Sequence, residues 1–72
     1  MLPNLFVEPA DSFGVVRVDA GTGLKRHSQS EVIRVLDSNG LRGLAEDVRS
    51  GKTVDVQLRQ EVFDKLKDAF AE

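Results

Sequence analysis

The second half of this chain carries two helix signatures back to back, and each has a defined stop. Ser28-Gln29-Ser30-Glu31 reads as a capping box: Ser28 accepts from the backbone N–H of Glu31, and the Glu31 side chain reaches back to the N–H of Ser28. Val32, Val35 and Leu36 then share one helical face, with Ile33 flanking it, and Ser38-Asn39-Gly40 ends the segment because Asn and Gly tolerate the left-handed position after a helix. Leu41, Leu44, Ala45 and Val48 recur at i, i+3, i+4 and i+7, which predicts a second amphipathic helix with Gly51 as its stop. Helices of about ten residues are not stable alone in water, so both need a surface to pack on.

The first half supplies that surface as short strands. Leu5-Phe6-Val7-Glu8 reads as one, closed by Pro9, which has no N–H to give a ladder. Ala10 to Gly14 has turn chemistry, and Val15-Val16-Arg17-Val18 is a second strand, with Val16 and Val18 on one face and Val15 and Arg17 on the other. The two are expected to form a hairpin. Residues 1–4 read as a loose lead-in, and Asp19-Ala20-Gly21-Thr22-Gly23 as a break in regular structure with positive φ at its glycines. The stretch 52–58 supports two readings. Val54, Val56 and Leu58 alternate with Asp55 and Gln57 as in a strand, yet Leu58, Val62, Leu66 and Phe70 repeat every four residues, as in a helix capped by Asp55. A strand over 53–58 followed by a helix over 59–71 is the preferred reading. The fold class is therefore α+β: an N-terminal β-hairpin, two short helices, a third short strand and a C-terminal helix.

At 72 residues the chain reads as one small domain, spanning 1–72. A domain of this size buries only roughly 60% of the surface its unfolded chain exposes. No cysteine is present to staple it, and one histidine with no cysteine falls short of the four N or S ligands of a structural zinc site. Self-association is the remaining staple, which predicts a homodimer. Ten Lys and Arg against twelve Asp and Glu give no concentrated basic excess of the kind that marks a nucleic-acid or anionic-membrane partner. The longest apolar run is three residues, far from the ~18 or more of a membrane span. Met1-Leu2-Pro3-Asn4 has neither the charged nor the apolar region of a secretion signal. A soluble, cytoplasmic protein is expected.

Several short patterns invite chemistry. Ser50-Gly51-Lys52-Thr53 resembles the end of a phosphate-binding loop, but that loop needs a glycine at position 46, where Glu46 stands. A helix stop and turn is the better reading. Gly21-Thr22-Gly23 is a fragment of a dinucleotide fingerprint without its strand–helix unit and reads as a flexible turn. Catalysis by His27 with Ser28 or Ser30 would need an orienting acid and an oxyanion site in a water-excluding pocket, for which a chain this small has little room, and Ser28 already serves as a helix cap. His27 is read as exposed beside a helix start. Lys25-Arg26-His27, with Arg17 and Arg34, is the one local basic cluster, interrupted by Asp19 and Glu31, and it reads first as a solvated loop. No enzyme, cofactor, metal or small-molecule substrate is expected.

Val54 to Leu66 resembles the strand and first helix of ribbon-helix-helix repressors, and Arg26 to Ile33 resembles the start of that family's second helix, in reversed order along the chain. The resemblance implies a dimeric ribbon whose alternate residues Asp55, Gln57 and Arg59 face DNA. The function expected from the residues themselves is that of a non-enzymatic regulatory or adaptor protein acting by protein–protein binding, as a dimer. Phe63 and Phe70 on the last helix are its candidate anchors, since aromatics dominate interface energetics. Phe63 is placed off the Val62–Leu66 face and so exposed, while Phe70 suits core and interface equally. The alternative is a dimeric DNA-binding transcriptional repressor using Lys25, Arg26, Arg34, Gln57 and Arg59.

Overall fold

The computed structural model describes residues 1–71, which form a four-stranded antiparallel sheet with three helices against one face. In chain order these are β1 (Asn4–Val7), β2 (Val15–Asp19), β3 (Leu24–Ser28), α1 (Gln29–Ser38), α2 (Arg42–Arg49), β4 (Val54–Gln57) and α3 (Gln60–Ala69). The expected α+β class, hairpin, helix pair, late strand and closing helix are all present. The ambiguous stretch near 55 is a strand. The spatial order is β3-β2-β1-β4, so β1 and β2 lie inside and β3 and β4 are the edges.

Period-two alternation sorts the sheet residues between its faces. The register pairs Leu5 with Val56, and Val7 with both Val54 and Val18, so these side chains share the inner face. Val16 pairs with His27 and Val18 with Lys25, which carries that face onto β3. Val32 and Leu36 of α1, Ala45 and Val48 of α2, and Phe63, Leu66 and Phe70 of the last helix and its cap close over it as one buried cluster.

The helix ends follow the local signals. Ser28 Oγ accepts from the N–H of Glu31 at 3.2 Å. Only this half of the capping box forms, because the Glu31 carboxylate lies instead 3.8 Å from His27 Nδ1. At the end of α2, Gly51 takes φ +78°; its N–H donates to the Val48 carbonyl and that of Lys52 to the Asp47 carbonyl, satisfying two helix-end acceptors. The same paired arrangement closes α1, where Gly40 and Leu41 donate to Asp37 and Leu36. The Ser50–Thr53 stretch is thus a helix stop that runs into β4.

Four expectations are corrected. Asn4 is not part of a loose lead-in: it opens β1 opposite Gln57, and the Pro3 carbonyl accepts from Leu58. The glycine-rich stretch after Asp19 does not end the sheet but turns it, bringing Leu24–Ser28 back along β2 as a third strand. His27 therefore points inward and is only 8% exposed. Phe63 is buried, at 6% exposure, and Phe70 also belongs to the core, at 3%. The every-fourth-residue stripe misjudged the phase of α3. A step of four residues advances about 40° around a helix, so a long stripe drifts off any flat surface. The face that lands on the sheet is Phe63–Leu66–Phe70, with Val62 half-buried at its margin.

Candidate functional site

With every helix on one side, the other face of the sheet is open. Its rows follow from the register: Leu24, Asp19, Phe6 and Asp55 lie across all four strands, then Arg26 beside Arg17, then Ser28 beside Val15. Phe6 and Val15 are half-buried and Leu24 is exposed. Asn4 Nδ2 donates to Asp55 Oδ1 at 2.7 Å, tying down the β4 edge.

The chemistry concentrates at the end of this face under the β1–β2 turn. A concavity of about 400 Å³ is lined by Glu8, Pro9, Asp11, Phe13, Val15, Arg17 and Arg26. Its rim is Phe13, 88% exposed. The turn that carries this ring is tightly bonded. Asp11 Oδ1 accepts from the N–H of Phe13 at 2.8 Å and from that of Val15 at 3.0 Å. The Asp11 N–H donates to the Val15 carbonyl at 2.9 Å, and the Gly14 carbonyl accepts from Gln29, anchoring the turn to the start of α1. An Asp two residues before the bonded N–H is a well-known way to fix such a turn. These bonds hold the Asp11 carboxyl below its ordinary value of 3.8, the Val15 N–H contributing most, then that of Phe13, with Arg26 and Arg17 adding a smaller attraction.

Arg17 and Arg26 are direct cross-strand partners on the open face, and both are exposed. Such partners have Cβ atoms about 4.5–5.5 Å apart, and like charges there repel. Glu8 offsets part of this, with Oε1 3.8 Å from Arg17 Nε. That separation is an ion pair rather than a hydrogen bond. Among the described residues Arg26 is in no ion pair.

The residues singled out in the sequence are scattered by the fold. Lys25 and Arg26 are sequence neighbours on opposite faces; Lys25 lies on the inner face at the sheet edge, half-buried beside Val18. Gln57 lies on β4, three strands from Arg26 and so roughly 14 Å across the sheet. Arg34 is exposed on α1 and Arg59 is the exposed N-cap residue of α3. Of the expected DNA-facing set, only Arg26 contributes to the concavity. Phe63 and Phe70 are in the core, so neither ring is presented to a partner. The aromatic on display is Phe13, which sequence reasoning treated as part of a turn. One signal was available: an aromatic among Asp, Ser and Gly belongs to neither strand's apolar alternation.

The strand of the ribbon-helix-helix resemblance, β4, is paired antiparallel with β1 of its own chain, and α1 is entered from β3. No known protein family matches the chain, and no curated protein or solved structure does either. Among the described residues, no helix is long and apolar enough to cross a membrane.

Proposed function

We propose that this chain is a non-enzymatic regulatory or adaptor protein that acts by binding another protein, or a second copy of itself, through the open face of its sheet, with Phe13 as the anchor. The exposure of Phe13 on a rigid turn carries the reading. Burying a side chain of this kind is worth about 1.5–3 kcal/mol, which a small domain forgoes by leaving it in water. The backbone that carries the ring is already fixed by the hydrogen bonds of Asp11, so a partner that covers the ring need not order the turn. Half-buried Val15 adds apolar surface beside the ring in the concavity.

The titratable groups support binding over catalysis. The chain's single histidine faces inward, and the Asp11 carboxylate at the concavity is engaged by two backbone N–H groups. Action in the cytoplasm and as a dimer remains part of this reading, on the cysteine-free composition and small size.

A photo-cross-linking residue placed at position 13 in the producing cell tests the proposal, with position 65 on the exposed side of α3 as control. A discrete protein adduct from position 13 alone is expected, and an adduct of twice the chain's mass identifies a homodimer. A nucleic-acid adduct would favour the repressor alternative. Absence of any adduct specific to position 13 would remove the reading.

A further inference from the structure

Resting on the protein-binding reading above, we infer that the Arg17–Arg26 pair seats a carboxylate of the partner, so that the concavity takes an acidic residue whose apolar neighbour lies against Phe13 and Val15.

Arg17 and Arg26 are cross-strand partners on β2 and β3, and both line the concavity. Glu8 pairs with Arg17 alone, at 3.8 Å, and Asp11, whose Oδ1 accepts from the backbone N–H groups of Phe13 and Val15, is only weakly attracted by the two arginines. The forks of both arginines are left with N–H donors for an outside acceptor, and a carboxylate can take two such donors in parallel. A carboxylate bound there is attracted by both cations.

The apolar half of the ligand is set by the wall beside the arginines. Phe13 and Val15 share the concavity with Arg17 and Arg26, and Pro9 closes it at the end of β1. An acidic side chain next to an aromatic or aliphatic one along an extended segment matches this pairing of cations and apolar surface.

Charge also decides against a polyanion. Beside the two arginines, the open face and its rim carry Glu8, Asp11, Asp19 and Asp55. One carboxylate needs only the N–H donors of the two arginines, close at hand. A run of phosphates along the sheet meets the surrounding acids.

The test is a titration of the isotope-labelled full-length chain, followed by NMR, with two capped dipeptides, acetyl-Phe-Glu-amide and its neutral isostere acetyl-Phe-Gln-amide. The acidic peptide is expected to shift the backbone signals of Phe13 and Val15 and the side-chain Nε–H signals of Arg17 and Arg26. It should bind about tenfold more tightly than the neutral one, a gap that narrows with added salt. Arg26→Gln, at an exposed position, should keep the folded spectrum and erase that preference. Equal binding of the two peptides, shifts centred elsewhere, or no saturable binding of the acidic peptide would each overturn the inference. A protein adduct from position 13 combined with such a failure leaves the protein-binding reading standing without its carboxylate. Arginine-dependent peptide binding with no adduct would have the opposite meaning.

Discussion

The ring of Phe63 lies directly over Gly21: a Cβ built on that glycine would stand 3.0 Å from Phe63 Cζ. The last helix and the β2–β3 turn are therefore fitted to each other, and the turn is made of glycine for two reasons at once, since Gly21 also has φ +94°. Gly21→Ala should cost about 1–3 kcal/mol through backbone strain, with the displaced ring adding to it. Urea denaturation of the variant measures this; an unchanged midpoint would contradict both the positive φ at Gly21 and the close approach of the ring.

Phe63→Ser should remove a large share of the domain's stability. Truncating a buried Phe costs about 3–5 kcal/mol, and a chain of this size has roughly 4–11 kcal/mol in total. Val62→Ser, at the half-buried margin, should leave a cooperative transition. Circular dichroism on the pair discriminates the two phases of the helix, and the reverse outcome would mean that the Val62 side is the buried one.

Ser28→Ala removes the acceptor for the Glu31 N–H and should lower stability by about 0.5–2 kcal/mol. Ser28→Asp, an equally good cap, should retain most of it. If Ala and Asp behave alike in denaturant titrations, the cap contributes nothing here.

His27 Nε2 is buried without a hydrogen-bond partner among the described residues, and its ring packs 5.1 Å from that of Phe70. An unsatisfied buried polar atom costs about 1–3 kcal/mol, while the contact to Glu31, at 3.8 Å, is too long for a hydrogen bond that would offset it. His27→Leu should therefore be neutral or stabilising in thermal unfolding. A loss of several degrees would reveal a partner for Nε2.

Asp11 is more acidic folded than unfolded, because its ionised form accepts from Val15 and Phe13. Its contribution is thus complete above the ordinary value of 3.8 and lost as pH falls through the lower folded value. The amide signals of Phe13 and Val15 should titrate together with a midpoint below 3.8. Asp11→Asn should abolish that titration and speed exchange of both amides. A midpoint above 3.8 would contradict the turn as described.

Much of this architecture was legible because it is written locally. Ser28, Gly40 and Gly51 set helix boundaries through bonds within a few residues of themselves, so their signals survive without knowledge of the fold. Alternation likewise put Val16 and Val18 on one face and Arg17 on the other, since a strand's pleat fixes its two faces whatever it pairs with. The existence of β3 depended on more. Leu-Lys-Arg-His-Ser has weak strand character and becomes a strand by pairing with β2 across the glycine turn, which is also what buries His27 and half-buries Lys25. The phase of α3 was beyond local pattern too: two faces of that helix were apolar enough, and contact with the sheet and Gly21 selected Phe63. The candidate site is tertiary in the same sense. Arg17 and Arg26 are nine positions apart and meet only through strand register, beneath a Phe13 whose exposure is set by a turn that has no core to give it.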